Sequence, residues 1–235
     1  MKKIILLSAL FLSVISISAQ SRLQLSYGNS YNFFRPDNLN RTVYTYNYTR
    51  SWLTNKMPYF KELKGWEFMA KIESDETVGF EFMFHYCKQM NEASGVETTS
   101  GLPAKRDITF SNGGYGFGFF GNFAHNKYLR SGISLDLNVM YFKVKTHYEN
   151  TNPNSAEDAI PVTGIKIGNT LAYNFELFPV KWLGIRVRPY YALPWFKLNM
   201  EGLQNYLQGS NGEIMREHVD CYGVNVALIL SFGKD

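Results

Sequence analysis

The chain has 235 residues, a formal net charge of +4, 16 Tyr, 18 Phe and two Cys. That length admits one large β domain or two small ones, the near-neutral balance gives no footing for nucleic-acid binding, and two Cys cannot define a disulfide framework. Beyond the first twenty residues there is no run of 18 apolar residues, so no helical membrane span is expected.

The N-terminus reads as an export signal. Met1-Lys2-Lys3 is a short basic start, Ile4 to Ile17 is apolar, and Ser16-Ile17-Ser18-Ala19-Gln20 supplies small residues for cleavage after Ala19. The expected organisation is therefore a signal peptide over 1–19 and a single domain over 20–235. Cleavage removes Lys2 and Lys3 and no acid, which takes the charge from +4 to +2. No Cys stands near the cleavage point, which argues against a lipid anchor.

After Gln20 the dominant pattern has period 2, the signature of strands with one apolar face. Residues 22–33 set Leu23, Leu25 and Tyr27 against Gln24, Ser26 and Gly28. The connector 34–64 is long, and Arg41 to Thr49 within it alternates as well. That stretch is expected to be an ordered extension of the first external loop or a further strand. Trp66, Phe68, Ala70 and Ile72 then oppose Glu67, Lys71 and Glu73. After a short turn at 74–76, Val78, Phe80, Phe82, Phe84 and Tyr86 oppose Gly79, Glu81, Met83, His85 and Cys87. The same alternation recurs over 108–121, 131–147, 161–177, 183–198 and 217–232.

The connectors alternate in length. Those at 34–64, 89–107, 148–160 and 199–216 are long, and those at 74–76, 122–130 and 178–182 are shorter. An ordinary β-sandwich predicts no such rhythm, whereas an outer-membrane barrel has short periplasmic turns and long extracellular loops. The expected fold is all-β: a transmembrane antiparallel up-and-down barrel of eight strands with both termini periplasmic. Trp66, Tyr86, Tyr141 and Trp195 would form its outer aromatic girdle, and Tyr128, Trp182 and Phe232 the periplasmic one.

On these features the chain resembles the small eight-stranded outer-membrane barrels of the outer-membrane protein A and outer-membrane protein X types. The features are the signal ending Ser18-Ala19-Gln20, the eight alternating segments, and a last strand running from Val224 to Phe232. The resemblance covers almost all of the mature chain and is architectural. It implies a bacterial outer-membrane location, surrounding lipid and lipopolysaccharide, and recognition of the aromatic-bearing last strand by the barrel assembly machinery.

Parity places Glu67, Lys71, Glu73, Glu81, Asp136, Lys166, Glu176, Arg186 and Arg188 in the lumen. An eight-stranded lumen is only wide enough for side chains to fill, so these charges are expected to pair in a polar core. Gly114, Gly116 and Gly118 would leave room for bulky lumen residues such as Arg186, Arg188 or Tyr190. Gly116 to Gly121 matches G-x-G-x-x-G, but it lies within a strand and lacks the strand-to-helix context of a nucleotide loop. His85, His147, His218, Cys87, Asp220 and Cys221 all map near the outer rim. Parity divides them between two faces, which argues against a metal or catalytic cluster, and no cofactor is expected.

The sequence thus points to a non-enzymatic structural or surface-interaction role. Arg41, Arg50, Trp52, Lys105 and Arg106 are the candidate extracellular contacts, available to lipopolysaccharide or a protein partner. The alternatives are a narrow pore, a hydrophobic-ligand conduit or a lipid-modifying enzyme.

Overall fold

The computed structural model describes residues 21–74, 77–151, 156–208 and 215–233. The expected signal peptide lies outside them, as does most of the turn at 74–76. The described elements run β1 (Arg22–Phe34), α1 (Asp37–Thr49), β2 (Leu53–Asn55), β3 (Glu62–Glu73), β4 (Val78–Val96), β5 (Pro103–His125) and β6 (Leu129–Asn150). They continue with β7 (Glu157–Val180), β8 (Leu183–Pro194), β9 (Leu198–Asn199), α2 (Glu201–Gln208), β10 (Arg216–Glu217) and β11 (Cys221–Phe232).

Eight of these strands form a closed antiparallel ring in the order β4-β3-β1-β11-β8-β7-β6-β5, with β5 pairing back to β4. The small strands stand aside: β2 extends the outer end of β4, and β9 pairs with β10. The first and last ring strands join through Leu23↔Phe232 and the pairs above it. The register can be followed once around the wall. Leu23 leads through Ile72, Phe80, Phe119, Leu135, Leu171, Tyr191 and Tyr222 to Phe33, a stagger of ten residues. With a rise of about 3.3 Å per residue and strands about 4.8 Å apart, this stagger tilts the strands by roughly 40°.

Period-2 sequence becomes two-faced wall. Phe80, Phe82 and Phe84 on β4, Phe117 and Phe119 on β5, Leu135 and Leu137 on β6, and Leu228 and Leu230 on β11 are all exposed. The polar residues between them are buried, Glu81 and Asp136 among them. A water-soluble protein would have this pattern reversed. Such an apolar band around a closed sheet is stable only in lipid, where closure satisfies every backbone group. No helix among the described residues is long and apolar enough to cross a membrane, and the crossing is made by strands. The chain is an outer-membrane β-barrel. Aromatic side chains stand exposed on the wall at both ends of the band: Tyr86, Tyr141 and Trp195 at one, Tyr128, Trp182 and Phe232 at the other.

Two expectations about the connectors are corrected. Residues 89–107 and 148–160 are not mainly loop. β4 and β5 stay paired from Val78↔Gly121 up to Val96↔Pro103, and β6 and β7 stay paired up to Tyr148↔Glu157. These strands rise past the apolar band because their inner faces, carrying Ile108, Phe110, Phe142, Val144 and Val162, have a core to bury.

The second concerns 41–49, which is not a strand: the ordered extension of the first external loop is helical and forms part of α1. Its buried residues Leu39, Thr42, Val43 and Tyr46 follow helical spacing and face that same core. Tyr44 and Tyr48, one helical turn apart, are left outside, stacked on each other with centroids 6.1 Å apart.

Candidate functional site: a closed lumen and its extracellular cap

The lumen is filled in layers, beginning at the periplasmic mouth. Phe178 lies buried there, in space that Gly184 leaves by lacking a Cβ. The guanidinium groups of Arg22 and Arg130 sit over its ring at 5.2 and 5.4 Å. Arg130 pairs with Glu73, which also accepts a hydrogen bond from Gln24 Nε2 at 3.0 Å. One layer further in, Lys71 Nζ meets Glu176 Oε1 at 2.6 Å and lies 4.1 Å from the centre of the Phe120 ring.

The next two layers form one network. Arg186 Nη2 donates to Glu67 Oε1 at 2.8 Å, and Asn225 donates to the other Glu67 oxygen. Arg188 reaches three carboxylates: Glu81 at 3.1 Å, Glu67 at 3.7 Å, and Asp136. All five of these charged side chains are essentially inaccessible to water. The methionines share in the network, since Met69 and Met83 present their sulfurs to Arg186 and Arg188 at 2.8 and 3.3 Å. Several atoms remain without a partner in the protein, Glu81 Oε2, Asp136 Oδ1 and the Nε atoms of both arginines among them.

Sequence parity therefore placed eight of the nine expected lumen charges where ion pairs form. Lys166 is the ninth. It is inward on β7 but only half-buried, and it pairs in register with Met140, where the lining turns apolar. Arg130 was missed, although its parity with Gly132, Ser134 and Asp136 was there to read. The glycines of β5 serve different neighbours from those expected. A Cβ on Gly116 would strike Asn138 and one on Gly118 would strike Asp136, so they make room for β6 rather than for Arg186 or Arg188. It is Gly223 that accommodates Tyr190.

Above the network lies a cavity of about 20 Å³, lined by Ser30, Asn32, His85, Asn138, Tyr190 and Cys221 among others. That is room for about one water. The six rim residues do not gather into one cluster, although His85 and Cys221 share this cavity. Cys87 and Cys221 are free and buried. His85 lines the cavity, His147 hydrogen-bonds Asp158 at 3.0 Å on the outside of β6, and His218 is exposed.

The extracellular mouth is closed by an apolar core on which α1 and α2 lie. Phe34, Phe60, Ile108, Phe110, Phe142 and Val144 pack with Leu39, Val43 and Tyr46 from α1 and Leu203 and Leu207 from α2. The helices are tied down by polar contacts of long sequence range. Asn40 bonds the backbone of Phe60 through both ends of its amide, at 2.8 and 2.9 Å. Asn47 does the same with Met57 at 2.9 Å. Glu217 of β10 accepts from the N–H of Leu39 at 2.8 Å, at the end of α1 whose own N-cap position, Pro36, offers no side-chain acceptor. Burial raises the Glu217 carboxyl from 4.5 to about 7, against the pull of the backbone N–H groups of α1.

Of the five expected surface contacts, Arg41 is exposed on α1, Trp52 packs half-buried against the core, and Lys105 pairs with Glu92 at 2.9 Å. Arg50 and Arg106 come together instead of facing outward separately. Arg50 lies 4.0 Å from the centre of the Tyr46 ring, and its Nη2 donates to Leu207 O at the end of α2 at 3.1 Å. Arg106, inward on β5, sits among the rings of Tyr46, Tyr148 and Tyr206 at 5.8, 4.9 and 5.4 Å. Burial raises the Tyr46 hydroxyl above its ordinary value, opposed by the two arginines. Nothing in the sequence pattern joined these three tyrosines, which come from α1, β6 and α2.

In sequence the chain matches no protein family and no curated protein. In three dimensions it is similar to several solved outer-membrane proteins. The attachment invasion locus protein Ail of Yersinia pestis aligns over 91% of this chain and 99% of its own, with 12% identity and a TM-score of 0.45. The outer membrane protein OprG of Pseudomonas aeruginosa aligns over 92% and 98%, with 8% identity and a TM-score of 0.49. Neisserial surface protein A aligns over 91% and 97%, with 8% identity and a TM-score of 0.41.

Proposed function

We propose that this outer-membrane barrel is a non-enzymatic surface protein, working through its capped extracellular end. The observation that carries this reading is the double closure of the lumen. Buried ion pairs fill its membrane-spanning part, and an apolar core with two helices fills its outer part. Neither layer offers a solute a path, whereas the cap presents Arg41, the Tyr44–Tyr48 stack and Lys105 on a rigid base. The surrounding lipid and lipopolysaccharide meet the apolar band, the assembly machinery would engage β11 with its terminal Phe232, and a protein or glycan partner would meet the cap.

The test is photo-crosslinking on intact cells, with the reactive group placed at Tyr44 on the outer face of α1. A discrete adduct, absent when the group sits at periplasmic Trp182, is the expected result. Uniform labelling at both positions, or none at Tyr44, would count against a surface partner. The competing pore reading rests on the cavity above Arg188, and planar-bilayer conductance decides it. Outer-membrane lipid mass spectra, compared with and without the gene, decide the lipid-modifying reading.

A further inference from the structure

Every buried charge of the ion-pair layers meets an opposite charge, but the cap breaks that rule. Arg50 and Arg106 form no ion pair among the described residues, yet each lies within the other's field and they repel. Arg106 is held by three tyrosine rings and by one long bond from its Nη1 to Thr146 Oγ1 at 3.4 Å. Its Nε is buried without a partner, while the hydroxyl of Tyr206 lies between Arg106 and Glu157. No acid forms an ion pair with either guanidinium among the described residues: Asp107 is on the opposite face of β5, and Glu157 reaches the hydroxyl of Tyr206.

Two guanidinium groups that share the Tyr46 ring and form no ion pair are costly to keep together. Tyrosine faces offset part of that cost through cation–π attraction, and an oxyanion would offset more, because planar guanidinium forks match tetrahedral oxyanions with paired bonds. Both guanidinium side chains are half-buried at the extracellular end of the barrel. Both helices and the strand pair contribute to the site, so an anion bound there would also fasten the cap.

Resting on the surface role proposed above, we infer that Arg50 and Arg106, in the cage of Tyr46, Tyr148 and Tyr206, bind a phosphate group at the seam of α1, α2, β5 and β6. The phosphate is either free or carried as the monoester of a surface glycolipid.

The experiment uses the full folded chain in zwitterionic micelles, with arginine side chains labelled for NMR. Inorganic phosphate should give a saturable shift of the Arg106 and Arg50 Nε–H signals, while chloride at equal ionic strength should not. Arg50→Gln and Arg106→Gln should each weaken binding at least tenfold. Arg106→Lys, which keeps the charge and the packing, should bind with an intermediate affinity, and Arg216→Gln should bind as the parent does.

A second arm uses phosphatidylcholine vesicles carrying a phosphorylated glycolipid or the same lipid dephosphorylated. Binding confined to the phosphorylated vesicles supports the site and identifies the lipid as its source, and a response to free phosphate identifies the soluble ion. Equal shifts with chloride, no response in either arm, or unchanged binding in both Gln variants would overturn the inference. Surface crosslinking that persists in the Gln variants, alongside a failed titration, overturns this site and leaves the surface role standing. Loss of crosslinking in the parent, alongside a successful titration, does the reverse.

Discussion

Glu217 and Leu39 stand 178 positions apart in the chain, yet the carboxylate of one accepts the backbone N–H of the other at 2.8 Å. The contact supplies from β10 the cap that Pro36 cannot give α1. It also makes the helix docking depend on pH. The folded pKa of Glu217 is raised from 4.5 to about 7, so the folded state holds a proton that the unfolded state has released. Its contribution to stability is therefore fully present below pH 4.5 and is lost as pH rises through about 7. Amide exchange at Leu39 and Val43, corrected for intrinsic rates, should show greater protection at pH 5 than at pH 8. Glu217→Gln keeps an acceptor oxygen and cannot titrate, so the step should vanish. A step of equal size in that variant would refute the assignment.

The Arg188 network predicts a large loss from a single truncation. Arg188→Met removes the shared partner of Glu81 and Asp136 and leaves buried acids facing each other. Breaking a buried pair in this way costs about 3–5 kcal/mol. Urea unfolding of the barrel in lipid should register that loss. Adding Glu81→Gln and Asp136→Asn to Arg188→Met should recover much of it, since replacing the whole group with neutral side chains removes the stranded charge.

Closure of the lumen predicts an electrical result. The parent barrel should give no resolvable open-channel current in a planar bilayer. Deleting α1 should leave the baseline unchanged, because the ion-pair layers lie below the cap. Replacing Arg186 and Arg188 together with Ala should open current by emptying the two central layers. Steady current from the parent would instead favour the pore reading.

The glycines of β5 predict a contrast between near neighbours. Gly118→Ala would drive its methyl into Asp136 and the backbone of Leu135, whereas at Gly121 the nearest atom to a new Cβ is Thr77 O at 3.9 Å. Gly118→Ala should lower stability by about 1–3 kcal/mol, as overpacking does. Gly121→Ala should lie within about 0.5 kcal/mol of the parent, as do most surface changes. Equal effects in parallel denaturant titrations would contradict the packing described.

The band predicts the sign of a surface charge. Leu135 is 56% exposed and pairs with Phe119 and Leu171 in the middle of the apolar face. On a water-soluble wall, Leu135→Arg would be harmless or would improve solubility. In a bilayer it should cost about 2–4 kcal/mol, the range for arginine near the midplane of a transmembrane barrel. Unfolding measured in liposomes distinguishes the two.

The period-2 alternation determined the ring by itself, because in a strand parity alone decides which face a residue takes. It put Glu67, Lys71, Glu81, Asp136, Arg186 and Arg188 inside and Phe82, Phe117 and Leu135 outside without reference to any distant residue. Which charges meet was not legible, because the partners of Arg188 come from β3, β4 and β6, and the ten-residue stagger of the whole ring sets their heights.

The cap was less legible still. Tyr44, Tyr46 and Tyr48 fit a strand by alternation and β propensity, while Leu39, Val43 and Tyr46 fit a helix by spacing. Local preference could not choose between them. The apolar core at the barrel mouth chose, because only a helix buries Leu39, Val43 and Tyr46 together while Glu217 satisfies its first turn. The tyrosine cage around Arg50 and Arg106 exists for the same reason: its members are far apart in sequence, and they meet only once both helices have docked.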